Sequence, residues 1–214
     1  MRTKTLLLTV ALVAAGAASS MAQVYSQNAV GYVNVTLAPG FNLIANPLQA
    51  PVNTLGALIP LAPDGAQFYK FTSGLGGGFA TFTFDGLDNV WTPNGNVSLA
   101  PGEGGFLNNP TAGNVVVTFV GDVLQGTLNT SLLQGFSIAS SKVPQAANVD
   151  TLGLPPDDGD QLFKFVNPGP GYVTYTFDGL DLVWTPSSPV INVGESFFIN
   201  KTTPRTWTRV FSVN

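Results

Sequence analysis

Phe79–Pro93 reads FATFTFDGLDNVWTP, and Tyr172–Pro186 reads YVTYTFDGLDLVWTP. Eleven of the fifteen positions are identical, and Phe79/Tyr172 and Phe82/Tyr175 exchange one ring for another. A match of this length within one chain marks a duplication, and the fold has to be read as one unit written twice. Inside the stretch the period is two. Ala80, Phe82 and Phe84 fall on one side and Thr81 and Thr83 on the other; the second copy sets Val173, Tyr175 and Phe177 against Thr174 and Thr176. Strict alternation of this kind belongs to a half-buried strand. Asp85-Gly86-Leu87-Asp88 and Asp178-Gly179-Leu180-Asp181 then read as hairpin loops turned by Asp-Gly. Return strands over Asn89–Thr92 and Leu182–Thr185 are stopped by Pro93 and Pro186.

The duplication extends outward in both directions. Asp64–Phe71 (DGAQFYKF) matches Asp158–Phe165 (DGDQLFKF), Gly31–Phe41 matches Gly126–Phe136, and Gly102–Asn108 (GEGGFLN) matches Gly194–Asn200 (GESFFIN). The offset between copies falls slowly from 95 to 92 along the chain, so the length differences lie between the matched blocks, where loops absorb them. The boundary falls near Gly121, which gives units over residues 23–121 and 122–214. With no Pro- or Ser-rich linker between them, the units are expected to pack together. Further strands of the first unit are predicted over Val30–Leu37, Phe41–Asn46, Gln67–Thr72, Gly105–Asn108 and Val115–Val120. Short strands between Gly/Pro turns predict an all-β chain, each unit a β-sandwich or small β-barrel of about 95 residues. One helical turn is predicted at Asn53-Thr54-Leu55, matched to Asp150-Thr151-Leu152, because Asn and Asp cap helices.

Gly40-Phe41-Asn42-Leu43-Ile44-Ala45-Asn46-Pro47 resembles the "GWNLISxP" opening of a β-module found in bacterial secreted and surface proteins. Pro101-Gly102-Glu103-Gly104-Gly105-Phe106-Leu107 is similar to the "PGxGYWV" close of that module, and Trp91 and Trp184 stand where its hairpin ends in Trp. The second copy departs further. Gly135-Phe136-Ser137-Ile138-Ala139 lacks the Asn and Pro, and no Pro precedes Gly194-Glu195-Ser196-Phe197. The resemblance implies a β-module in an exported setting and no catalytic activity.

The beginning of the chain agrees with export. Arg2 and Lys4 precede an apolar run, Thr5–Ala18, too short for a stable membrane anchor, and Ser20 and Ala22 suit a cleavage site before Gln23. Residues 1–22 are therefore predicted to be a signal peptide, with an extracellular, cell-surface or periplasmic destination and no stable membrane insertion afterwards. Their removal takes two positive charges and moves the net charge from −4 to −6. An acidic chain without a Lys/Arg cluster excludes nucleic acid as a partner. Charged residues make up 9% of the chain against the usual quarter, while rings are abundant, so the expected surface is neutral and polar around a packed core.

The chain has no His and no Cys, which removes Ser-His-Asp and Cys-His nucleophiles and the usual zinc, copper and haem ligands. Gly74-Leu75-Gly76-Gly77-Gly78 lacks the Lys of a phosphate loop and reads as a hairpin tip. Glu103 and Glu195, the only glutamates, stand at equivalent positions, so the repeat accounts for them more simply than a glycosidase pair does. No cofactor and no enzymatic activity are expected. Asp85, Asp88, Asp178 and Asp181 are the candidate metal ligands, for Ca²⁺, weighed against ordinary turn chemistry. Asp157-Asp158-Gly159-Asp160 reads as a solvated acidic loop. Trp91, Trp184 and Trp207 are the candidate sugar platforms, weighed against a core role. The expected function is a structural, adhesive or assembly role, with a carbohydrate-binding module and a self-assembling filament or matrix subunit as alternatives; glycan and self-association are the partners to weigh.

Overall fold

The computed structural model describes residues 29–213. The predicted signal peptide and the Gln23 start lie outside them. The first unit holds β1 (Val30–Leu37), β2 (Gly40–Ala45), a short helix α1 (Leu55–Leu58), β3 (Gln67–Phe71), β4 (Phe79–Asp85), β5 (Val90–Thr92), β6 (Gly104–Asn109) and β7 (Val115–Asp122). The second holds β8 (Gly126–Leu132), β9 (Gly135–Ala139), β10 (Ala147–Asn148), β11 (Gln161–Val166), β12 (Gly171–Asp178), β13 (Val183–Thr185), β14 (Val190–Ile191), β15 (Phe197–Lys201) and β16 (Arg205–Phe211). Every strand predicted from the alternation is present to within one or two residues. β7 runs one residue past the boundary placed at Gly121.

Each unit is a β-sandwich; none of its sheets closes into a barrel. In the first, a five-stranded sheet of order β2-β6-β3-β4-β5 is covered by the β1–β7 ribbon. In the second, β13-β12-β11-β15-β9 is covered by the β8–β16 ribbon, with a small β10–β14 pair at the side. Every ladder is antiparallel and joins strands of one unit. The alternation decides what is buried. Phe82 and Phe84 of β4 point inward with Phe68, Trp91 and Leu107 and meet Leu37, Val117 and Phe119 of the ribbon. Leu162, Phe177, Trp184 and Ile199 meet Leu132 and Trp207 in the same way. Each such side chain contributes about 1.5–3 kcal/mol by leaving water.

The Asp-Gly hairpins work differently from the expectation. The left-handed residue of each loop is Asn89 (φ 55°) or Leu182 (φ 56°), not the glycine. Gly86 is needed for close approach, since a Cβ there would lie 2.7 Å from Asp64 Cβ; at Gly179 it would lie 2.6 Å from Asp158 Cβ. Leucine pays a steric penalty in the left-handed region that asparagine largely escapes, and Leu182 is exposed. Leu182→Asn, which copies Asn89, is therefore expected to stabilise the protein by about 1 kcal/mol, read as a raised urea midpoint. The helical turn also pairs differently between copies. Leu55 N–H donates to Val97 O and Val149 N–H to Pro189 O, so Leu55 corresponds to Val149 and not to Leu152. Thr54 precedes α1 without a side-chain cap, whereas Asn148 Oδ1 accepts from Thr151 N–H.

The two units meet across a pseudo-two-fold axis. The outer face of each large sheet carries rings: Phe41, Tyr69, Phe71, Phe79 and Phe106 in one, and Phe136, Phe163, Phe165, Tyr172 and Phe198 at the corresponding positions of the other. Phe71 lies 5.1 Å from Phe198, and Phe165 lies 5.1 Å from Phe106. The backbone repeats the relation: Ala45 N–H donates to Gly194 O at 2.9 Å, and Ser140 N–H to Gly102 O at 3.1 Å. The hairpin tips cross over as well, with Gly74 N–H on Phe136 O and Asn167 Nδ2 on Phe41 O. Such reciprocal contacts are those of a two-fold dimer interface, here within one chain.

Candidate functional site

The residues singled out in the sequence fall into two groups, and neither forms an exposed site. Trp91, Trp184 and Trp207 are each at most 4% exposed, so none offers a ring face to a sugar. Trp91 Nε1 donates to Ile59 O and Trp207 Nε1 to Leu152 O. In the hairpins, Asp85 Oδ1 accepts from Leu87 and Asp88 N–H, and Asp178 Oδ1 from Leu180 and Asp181 N–H. Asp64 and Asp158 close the loops by accepting from Gly86 and Gly179 N–H, each at 2.8 Å. The first acid of each pair is thus occupied as a turn acceptor. Among the described residues no cluster of three or more acids is placed to hold a metal. Millimolar Ca²⁺ against EDTA at matched ionic strength is expected to leave the melting temperature unchanged. A rise of several degrees, abolished by Asp88→Asn with Asp181→Asn, would restore the metal reading.

Asp157-Asp158-Gly159-Asp160 is solvated only at its middle: Asp158 and Gly159 are exposed, while Asp157 and Asp160 turn inward. Asp160 is fully buried beside the equally buried Lys201, whose Nζ donates to Asp160 Oδ2, to Asp157 Oδ2 at 2.9 Å and to Pro155 O at 2.8 Å. Arg205 donates to both oxygens of Asp157 and, with Lys201 and Thr203, holds its carboxyl below the usual range against burial. The sequence marked these acids but could not show that β15 and β11, adjacent in the sheet, bring Lys201 onto them.

Two polar clefts open along the seam between the units, and they are mates under the pseudo-two-fold. The first, of about 450 Å³, is bordered by Lys164, Phe165 and Glu195 of the second unit and Asn34, Thr36 and Asn42 of the first. The second, of about 310 Å³, is bordered by Lys70, Phe71 and Glu103 of the first unit and Asn129, Ser131 and Ser137 of the second. The duplicated glutamates therefore serve the seam. Glu103 Oε2 accepts from Ser98 Oγ and Ala100 N–H and faces Lys70 Nζ at 3.3 Å. Glu195 Oε2 accepts from Asn192 and faces Lys164 Nζ at 3.2 Å. Burial pushes Glu103 up, but the Ser98 hydrogen bond, Lys70 and Ala100 N–H outweigh it and hold the carboxyl below its ordinary value. Burial lowers Lys70 more than its glutamate partner raises it.

Among the positions at which the mates differ, one changes a buried polar group. Asn42 is occupied locally, donating to Ala38 O and Gly40 O and accepting from Ala38 N–H. Ser137, at the corresponding place, is buried in the wall of the second cleft, and its hydroxyl has no partner. A buried polar atom left unpaired is uncommon and costs stability, which makes this cleft the candidate site. Nothing in the sequence distinguished Ser137; the missing Asn of the second module opening was the one available signal. In comparisons with protein-family models, curated proteins and solved structures, the chain matches none.

Proposed function

We propose that the chain is an exported, non-catalytic β-protein with an adhesive or structural role, and that it holds a neutral glycan in the seam cleft beside Ser137. The observation that carries this reading is the unpartnered Ser137 hydroxyl in a cleft bordered by Asn, Ser and Thr, by the internally neutralised Lys70–Glu103 pair and, in addition, by Lys142. Neutral hydrogen-bonding groups with one ring, Phe71, suit sugar hydroxyls and a sugar face. The mate cleft offers the same Lys–Glu pair and ring, so one rigid chain presents two related sites, and paired sites strengthen attachment to a repeating polymer. The signal peptide expected over residues 1–22 and the resemblance to secreted β-modules support the setting. Exported material is expected to begin at Gln23.

A glycan array probed with the protein lacking residues 1–22 is the test. Retention on neutral polysaccharides is expected. Ser137→Ala should weaken it several-fold without loss of stability, because an unpaired buried hydroxyl costs the fold stability instead of adding to it. A blank array rules out the glycan, and an unaffected Ser137→Ala moves the site elsewhere. Self-assembly is favoured by a different observation. The outer face of the first ribbon exposes Val30, Tyr32, Val116 and Val120, between 56% and 73%, whereas the second presents Asn129, Thr206 and Thr208 beside a single exposed Val210. Both ribbons are two-stranded with open edges among the described residues, the geometry through which strands add. Concentration-dependent growth in light scattering, stopped by Tyr32→Lys, would support that role.

A further inference from the structure

The charged trio in the second unit lies where the first unit uses neutral residues. Lys201 pairs with Gly135 in the sheet as Asn109 pairs with Gly40. Asp160 precedes β11 as Ala66 precedes β3, and Asp157 stands where the first unit has Pro63, each accepting at its carbonyl from the residue three positions on. The fold therefore forms without these charges. Placing an ammonium and a carboxylate in the interior carries a desolvation penalty of several kcal/mol per ion, which mutual attraction repays only in part.

We propose that Lys201 and Asp160 are joined by an amide bond, formed within the folded chain with the loss of one water. The reacting groups are already in contact: Lys201 Nζ donates to Asp160 Oδ2, and both side chains are fully shielded from solvent. Transfer of the shared proton from Nζ to Oδ2 gives the free amine and the carboxylic acid that the reaction requires. The Nζ lone pair attacks Asp160 Cγ. Charge developing on Oδ1 meets Thr202 N–H at 2.8 Å and Thr202 Oγ1 at 3.1 Å, an arrangement of fixed donors that stabilises a tetrahedral intermediate. Asp157 Oδ2, 2.9 Å from Nζ, takes the amine proton and passes it to the departing Oδ2 hydroxyl; Asp157 N–H already donates to that oxygen at 2.7 Å. The new bond is Nζ–Cγ, the broken bond is Cγ–Oδ2, water leaves, Asp157 returns to its carboxylate, and nothing is oxidised or reduced.

The product removes two buried charges and ties residues 41 apart on adjacent strands. A cross-link closing such a loop restricts the unfolded chain as a disulfide does. This chain has no cysteine with which to make one.

Intact-mass measurement of the exported protein in denaturant tests the bond. The expected mass is one water below that of the processed sequence, and a tryptic digest should yield a branched peptide joining the segments that contain Asp160 and Lys201. Lys201→Arg keeps the charge but cannot form this bond, and should regain the water. Asp157→Asn keeps both reacting groups and removes the base, and should regain it too. Full mass in the unaltered protein overturns the proposal and leaves an ion pair. A missing water traced to Asp64-Gly65, Asp85-Gly86, Asp158-Gly159 or Asp178-Gly179, which can cyclise to succinimides, overturns it equally. Water loss that persists in Asp157→Asn overturns the part given to Asp157.

Discussion

Trp91→Ala is expected to cost about 3–5 kcal/mol, the range for truncating a large ring in a packed core. Trp91 is 4% exposed, sits 5.3 Å from Phe84 across the β4–β5 pair, and its indole N–H is 2.8 Å from Ile59 O. Trp184 repeats the packing, 5.4 Å from Phe177, but its Nε1 has no hydrogen-bond partner. The ribbon differs as well. Trp207 stands where the first unit has Val117, opposite Thr130 as Val117 is opposite Val35. Its Nε1 takes Leu152 O in the turn against which Trp184 packs. Two prominent losses are therefore expected on truncation to Ala, and a smaller difference should separate the phenylalanine variants. Trp91→Phe gives up a paired N–H and strands Ile59 O, so it should cost about 1 kcal/mol more than Trp184→Phe. Urea unfolding of the four variants decides this. Full stability in either alanine variant would remove that tryptophan from the core, and equal phenylalanine variants would mean that the hydrogen bond is not a source of stability.

The strands were legible because alternation survives in each of them and because the duplication states every pattern twice. Phe82 and Phe84 could be set on one face from the period alone, whereas Trp91 stayed open between a core role and a sugar platform until its burial was seen. The seam was harder to read. Gln67-Phe68-Tyr69-Lys70-Phe71 and Gln161-Leu162-Phe163-Lys164-Phe165 carry apolar side chains on both faces, which signals a sheet covered on both sides, but the covering partner is the other copy, and local spacing holds no information about it. The same limit applies to Lys201. A lone lysine after Asn200 looks solvent-exposed until the β11–β15 pairing sets it against Asp160. Ser137 is subtler again, since its importance rests on a hydrogen bond that is absent. The Asp-Gly loops were placed correctly as turns, yet the glycine is there for contact with Asp64 or Asp158, a constraint from twenty residues away that turn propensities do not contain.

Lys201→Met should be the most damaging single change in the second unit, at about 3–5 kcal/mol, because it leaves the Asp160 carboxylate buried without a cation. Asp160 would keep its hydrogen bonds from Thr202 and Asp157 N–H, which lessen the penalty without supplying a counter-charge. The sister unit provides the control. Ala66 and Asn109 occupy the two places, and Asn109 Nδ2 donates to Leu37 O and Gly113 O. The double variant Asp160→Ala/Lys201→Asn transfers that neutral pair and removes both charges together. It should recover about 2–3 kcal/mol of the loss, the part due to the unpaired buried charge, because coupled neighbours are not additive. A cross-link between the two side chains is absent from Lys201→Met and from the double variant alike, so the recovery between them measures only the buried charge. If the double variant is as unstable as the sum of Asp160→Ala and Lys201→Asn measured singly, the two residues do not act on one another, and the cluster stabilises through Asp157 and Arg205 alone.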